Sequence, residues 1–292
     1  MSCSNPITVK DGNGNEVKVP CGKCLTCRLK KAKDWAIKLQ KESLYHKENC
    51  TITLTFDNEK LQNDKKCQKY GGNIRMAWKL EYSKEYLQKF IKRLRKHYKE
   101  KDITYYAVGE YGELRKRPHY HLILFGINFN ETRKQGYLSK TGKPQFIDEK
   151  LTEIWGAGRV TIQDLNSKNV VYVAQYTLKK TKNKTIDERY KPKMTFSNRS
   201  KIGYKWARRN HEEIKKGYIT DEDKKKYSVP RTWLREYKER DYYNRFNNTL
   251  LQHEQAILQK VGNKTDKEII EQYKIKERLW ELGQINKKRD FC

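Results

Sequence analysis

Long apolar runs are missing from this 292-residue chain. Stretches such as Leu122–Phe125 fall far short of the roughly 20 residues that a membrane-crossing helix needs. The first residues, Met1-Ser-Cys-Ser-Asn-Pro6, lack the basic-then-apolar order of a secretion signal. A secreted or membrane-spanning protein is therefore not expected. Acidic residues are scarce too: 36 Asp+Glu against 65 Lys+Arg leave a formal charge of +29. Hydrophobic residues make up only 36% of the chain, and the mean hydropathy is −1.07. Such a composition predicts a modest core and a large wetted surface. The length sets a bound of about two domains.

A charge surplus of this size opposes compaction unless a polyanion offsets it. The basic residues are spread along the chain, so they do not form a basic tail. They are interleaved with 20 tyrosines and 6 tryptophans, which suit both folding and stacking on bases. Nucleic acid is the expected partner. The basic segments Arg28–Lys33, Lys92–Lys96 and Lys205–Arg209 are its candidate contacts, with Arg28, Lys92, Arg93, Arg95, Lys96 and Arg117 as the individual residues. Paired cysteines are also lacking: Cys3, Cys21, Cys24, Cys27, Cys50, Cys67 and Cys292 are odd in number and clustered, a poor disulfide framework.

Three regions are expected. Residues 1–45 form a Cys-containing basic segment with a helical stretch from Leu25 to Leu44. Residues 46–185 alternate strand-like and helix-like patterns, and 186–292 read as basic and mostly helical. In the middle region, Cys50–Phe56 alternates β-branched and aromatic residues as a strand does. Ser83 is a potential N-cap for a helix over Lys84–Tyr98, where Leu87, Phe90, Ile91 and Leu94 share one face. Strands over Ile103–Glu110 and Tyr120–Phe125 follow. After a Gly/Lys-rich loop come Leu151–Trp155, a strand at Gly158–Gln163, and a helix from about Lys168 to Lys180 capped by Asn166 or Ser167. This order predicts an α+β domain on an antiparallel sheet.

Chemistry-bearing residues concentrate in three places. In Arg117-Pro-His-Tyr-His-Leu-Ile-Leu-Phe125, His119 and His121 are two apart on a strand and leave the same face. The neighbouring strand ends at Glu110, with Glu113 in the following turn as reserve. Two histidines and a carboxylate suit Mg²⁺ or Mn²⁺ bound to a phosphate oxygen. In Val171-Tyr-Val-Ala-Gln-Tyr-Thr-Leu-Lys-Lys180, Tyr172 and Tyr176 lie one turn apart on a helix, flanked by Lys179 and Lys180. A tyrosine attacks only when its phenol is activated by a cation or metal. Without such a partner the pair is ordinary core packing. In Cys21-x-x-Cys24-x-x-Cys27, three thiols at metal-ligand spacing predict a structural zinc site. Cys3, His46, Cys50 or Cys67 would supply the fourth ligand, and Lys31 stands where an iron–sulfur run needs a cysteine.

Taken together, the Thr-rich strand Thr51-Ile-Thr-Leu-Thr-Phe56, His119-Tyr120-His121 and Tyr172-x-x-x-Tyr176 resemble the three motifs of the HUH endonuclease superfamily, in the same order. The segments Pro20–Arg28, Gly109–Gly112, Arg117–Gly126 and Ser200–Gly203 resemble the replication initiators of microviruses, particularly gokushovirus-type single-stranded DNA phages. The resemblance spans about residues 20–206. It implies an HUH-like central antiparallel sheet of about five strands flanked by helices, with a divalent metal on His119, His121 and Glu110. It also implies nicking of a single-stranded DNA origin by a tyrosine, a 5′-phosphotyrosine intermediate, and rejoining of the strand. The partners implied are phage origin DNA, single-stranded or replicative form, and the host replication helicase and polymerase, in the cytoplasm of a bacterial host. Gln175 departs from similar proteins, which often carry Lys there, so Tyr176 is the better single nucleophile. The rival expectation is a non-catalytic zinc-containing protein that binds nucleic acid. A plasmid relaxase or single-strand transposase would use the same residues.

Overall fold

The computed structural model describes residues 3–10, 12–59, 80–111, 118–139, 142, 144–175, 193–198, 201–221, 224, 226–237, 268 and 271. The chain divides into two compact units, one of residues 1–38 with 207–292 and one of residues 39–206.

The larger unit is built on one antiparallel sheet of seven strands among the described residues. These are β3 (Asn49–Phe56), β4 (Thr104–Tyr111), β5 (Pro118–Phe125), β6 (Lys134–Leu138), β7 (Pro144–Ile147), β8 (Gly158–Asp164) and β9 (Lys193–Phe196). They lie in the order β6-β7-β8-β3-β5-β4-β9. The fold is the expected α+β class. The sheet is wider than about five strands, because residues 134–147 of the Gly/Lys-rich stretch form a hairpin on its edge. Beyond residue 186, the short strands β9, β10 (Tyr218–Thr220) and β11 (Lys226–Ser228) stand among the helices α5 (Tyr204–Arg209), α6 (His211–Lys215) and α7 (Arg231–Tyr237).

Alternation along the central strands sets two unlike faces. Ile52, Leu54 and Phe56 of β3, Tyr120, Leu122 and Leu124 of β5, and Val160 and Ile162 of β8 point into one core. Helix α2 (Leu80–His97) covers that face with Leu87, Phe90, Ile91 and Leu94, all buried. It begins ahead of the expected start, so Ser83 lies within its first turn rather than before it. Helix α3 (Glu149–Trp155) adds Leu151, Ile154 and Trp155. Asp148 caps it by accepting from the Leu151 amide at 2.6 Å, and Gly156 ends it in the left-handed region. Gly158 lets β8 come up against β3: a Cβ there would stand 2.3 Å from the Thr55 carbonyl oxygen.

The opposite face of β3 carries Thr51, Thr53 and Thr55, and helix α4 (Ser167–Gln175) packs over β5. Asn166 is its cap, accepting from the Asn169 amide at 2.8 Å, and Asn169 in turn donates to the Asp164 carbonyl. The start of α4 is thereby tied to the end of β8.

The smaller unit contains the hairpin of β1 (Ile7–Lys10) and β2 (Glu16–Val19), the first part of α1 (Leu25–Ser43), the β10–β11 hairpin and α7. Trp35 and Ile37 of α1, Ile219 of β10 and Trp233 of α7 are its large buried side chains.

Candidate active site

Antiparallel register assembles the site. On β5, His119 and His121 alternate with the core residues Tyr120 and Leu122 and so emerge on the threonine face. The β4–β5 register puts Glu110 directly opposite His119. One carboxylate oxygen, Glu110 Oε1, lies 2.7 Å from His119 Nε2 and 3.3 Å from His121 Nε2. The two imidazole rings stand perpendicular, with centroids 4.9 Å apart. The β3–β5 register brings Thr53 opposite His121, and its hydroxyl meets His121 Nδ1 at 3.1 Å. With Nδ1 in that hydrogen bond, Nε2 is the nitrogen aimed at Glu110.

Glu110 is only 5% exposed, whereas the histidines are partly open to solvent. Burial alone would raise its pKa. Hydrogen bonds from His119 and His121, with their charge, outweigh burial and lower it to about 2. The carboxylate is thus held ionised. Two imidazole nitrogens and one anionic oxygen within 4.8 Å of one another form a donor set that fits a divalent cation.

Tyr172 lies on α4, whose Val170, Val173 and Ala174 are buried. Its ring is 53% exposed, and its centroid stands 6.2 Å from that of His121. A phenol is thus presented to solvent beside the His–Glu cluster. Tyr176, Lys179, Lys180, Glu113 and Arg117 lie outside the described residues.

With that geometry in view, the chain can be compared with known proteins. The phage family described as Replication-associated protein ORF2 matches residues 49–181, a span that holds the histidines, Glu110 and both tyrosines. Over 238 residues the chain is 30% identical to Replication-associated protein ORF2 of Spiroplasma virus 4, covering 78% of this chain and 70% of that protein. The chain belongs to the microvirus-type phage replication-associated proteins. It is also 29% identical over 228 residues to Replication-associated protein VP4 of Bdellovibrio phage phiMH2K, covering 75% and 67% of the two chains. Replication-associated protein ORF4 of Chlamydia phage 1 is 35% identical over 169 residues, 56% of this chain but only 38% of that one. No solved structure matches the chain significantly. Membership in this family assigns the chain a part in initiating phage DNA replication. Among its described residues no helix is long and apolar enough to cross a membrane.

Other sequence expectations for this replication-associated protein are redistributed. Arg93 donates to the carbonyls of Ile154 and Trp155, each at 2.7 Å, and so completes the C-terminus of α3. Arg95 donates to the Ile103 carbonyl and to the Ser197 hydroxyl. Both arginines therefore serve the fold. With Lys92 and Lys96 they belong to α2, on the sheet face away from the histidines. Arg28 reaches back to the Cys24 carbonyl at 3.4 Å. His46 is not a partner of the cysteines: it pairs with Glu42 at 3.1 Å, and the other oxygen of Glu42 accepts from the Gly203 amide. Cys50 is buried in the sheet core, and Cys67 lies outside the described residues.

Two residues of the histidine face escaped the sequence reading. Thr53 was visible only as part of a β-branched strand. Arg159 of β8 is exposed and registers against Thr55, which itself registers against His119. Its signal was a lone basic residue inside an otherwise apolar strand pattern.

Proposed function

We propose that this phage replication initiator is a site-specific, divalent-metal-dependent DNA endonuclease and strand transferase that cuts a single-stranded origin by tyrosine attack. The observation that carries the reading is the convergence of His119 Nε2, His121 Nε2 and Glu110 Oε1 beside the exposed Tyr172 ring. In the reaction a tyrosine Oη bonds to the scissile phosphorus, the P–O3′ bond breaks, and a 5′-phosphotyrosine and a free 3′-hydroxyl result. The phenol proton leaves to water, and the departing 3′ oxygen takes up a proton. Because one phosphodiester replaces another, the bond energy is retained for rejoining the strand.

His119, His121 and Glu110 would hold the metal, Mg²⁺ or Mn²⁺. When bound, the ion supplies positive charge against the phosphate oxygens. Glu110 fixes both rings through one ionised oxygen, and Thr53 orients His121 from behind. Tyr172 and Tyr176, one helical turn apart, are the paired nucleophiles, the second accepting the strand that closes the circle. Lys179 and Lys180 are assigned to lowering the phenol pKa. Arg159 is assigned to a backbone phosphate of the bound strand.

The test is incubation of the protein with labelled single-stranded fragments of the genome that encodes it, plus Mn²⁺. A covalent protein–DNA adduct should form. It should persist in Tyr172→Phe or Tyr176→Phe alone and vanish in the double variant. An adduct that survives the double change would overturn the assignment of nucleophiles. Complete absence of cleavage, with nucleic-acid binding intact, would favour a non-catalytic binding protein.

A further inference from the structure

Far along the chain from the histidines, the N-terminal hairpin poses a separate physical problem. The strands β1 and β2 pair in register from Ile7 with Val19 to Lys10 with Glu16. Neither strand has a buried side chain, and Ile7, Val9 and Val17 all stand in solvent. An isolated two-stranded hairpin is marginal in water. Some other interaction must hold this one, and its two ends show what that is. Cys3 stands just before the hairpin, Cys21 just after it, and Cys24 and Cys27 flank the start of α1.

The sulfur geometry is that of a closed metal site. Cys3 Sγ lies 3.5 Å from Cys21 Sγ and 3.7 Å from Cys24 Sγ. All four sulfurs are within 4.8 Å of one another. Sulfurs at about 2.3 Å from a tetrahedral zinc are separated by about 3.8 Å. A disulfide needs about 2.0 Å, and the four cysteines are free thiols here. The backbone is folded to match. Gly22 takes a φ of +72°, which turns the chain so that the amides of Lys23 and Cys24 both donate to Cys21 Sγ, at 3.4 and 3.3 Å. The Cys21 amide donates to Cys3 Sγ at 3.3 Å. Amides aimed at sulfur stabilise thiolate, the form that binds metal. Cys3 is 2% exposed and Ser4 is buried beside it, so the chain end is tucked in even though the strand after it is bare.

We infer that Cys3, Cys21, Cys24 and Cys27 bind one structural zinc ion, with Cys3 as the fourth ligand, and that this ion fastens the β1–β2 hairpin to the start of helix α1. Four thiolates leave no coordination position for substrate, so the site is closed and non-catalytic. It is independent of the nicking proposal. The spacing of the three later cysteines suggested zinc but left the fourth ligand open among four candidates. Only the hairpin, which returns residue 21 to residue 3, decides it.

The experiment measures metal on the full-length protein in a His119→Ala/His121→Ala background, so that only the cysteine site is read. One zinc per chain is expected. Replacing that zinc with Co²⁺ should give the intense visible absorption of tetrahedral four-thiolate cobalt. Adding Cys3→Ser should weaken zinc binding by more than about tenfold and shift the cobalt bands toward three-thiolate coordination. Cys67→Ser and His46→Gln should each retain the ion. The inference is overturned by iron in place of zinc, by disulfides among these cysteines in anaerobically purified protein, or by no metal after refolding with zinc. It is equally overturned by a wild-type cobalt spectrum lacking four-thiolate character, which needs no variant to fold.

Discussion

At residue 53 a hydroxyl sits behind a histidine, and the hydrogen bond between them selects which ring nitrogen faces the carboxylate. Removing such an outer partner costs about 10- to 100-fold in metal affinity or activity. Thr53→Val, which keeps the β-branched shape, should therefore raise the Mn²⁺ concentration needed for half-maximal cleavage by at least about tenfold. Thr55→Val, at a position where no such bond to His121 exists, should act far less; equal effects would remove Thr53 from the mechanism. A second residue-scale prediction concerns Asp34 of α1. Burial raises its pKa to about 6, against the pull of Lys30, Lys38 and Arg231, and its Oδ1 lacks a hydrogen-bond partner. The unfolded chain ionises this group near the ordinary 3.8, so between about pH 4 and pH 6 it sheds its proton first. Stability accordingly falls as pH rises through that window, by on the order of 3 kcal/mol at most. Thermal unfolding of Asp34→Asn should lack this component, and parallel pH curves for the two proteins would refute it.

Arg93 illustrates the scale of the element. On a helical wheel it is one of several cations on the polar face of α2, and charge pattern alone assigns it to DNA. In the fold its guanidinium completes the carbonyl end of α3, a helix too short to stand on its own hydrogen bonds. Arg93→Met should lower stability by about 1–3 kcal/mol in denaturant titration. It should leave the salt dependence of DNA affinity unchanged, which a phosphate contact would not. The β6–β7 hairpin was invisible for a related reason. Lys134–Leu138 is exposed throughout and carries no alternation, so no periodic signal exists. Phe146 anchors the pair by registering with Ile162 of β8, and the open edge of β8 templates the rest. By contrast, β3, β5 and α2 were legible within a few residues, because each buries a face and must show the matching period.

For the molecule as a whole, the charge of +29 is the dominant quantity. Binding to single-stranded DNA should weaken linearly in log–log salt plots, by a slope of about −0.7 for each neutralised phosphate. His119→Ala/His121→Ala should abolish cleavage and keep that slope, since the histidines add no fixed cation. Arg159→Ala should reduce the slope by about one such increment; an unaltered slope would mean that Arg159 meets no phosphate. The +29 total says nothing about which cations do this. Only their distribution over the two sheet faces separates Arg159, beside the histidines, from the α2 cluster behind the core.

Local sequence was sufficient for the fold class, the His-x-His strand, the carboxylate at the end of its neighbour and the tyrosine helix, because strand and helix periods are properties of consecutive residues. Antiparallel pairing then required Glu110 to meet His119 once the turn between their strands was recognised. Contacts between distant segments were a different matter. Thr53 behind His121, Arg159 on the histidine face, Arg93 on α3 and Cys3 at the cysteine cluster join residues whose separation along the chain carries no periodic trace. Register and packing alone brought them together, and so the tertiary structure alone decided them.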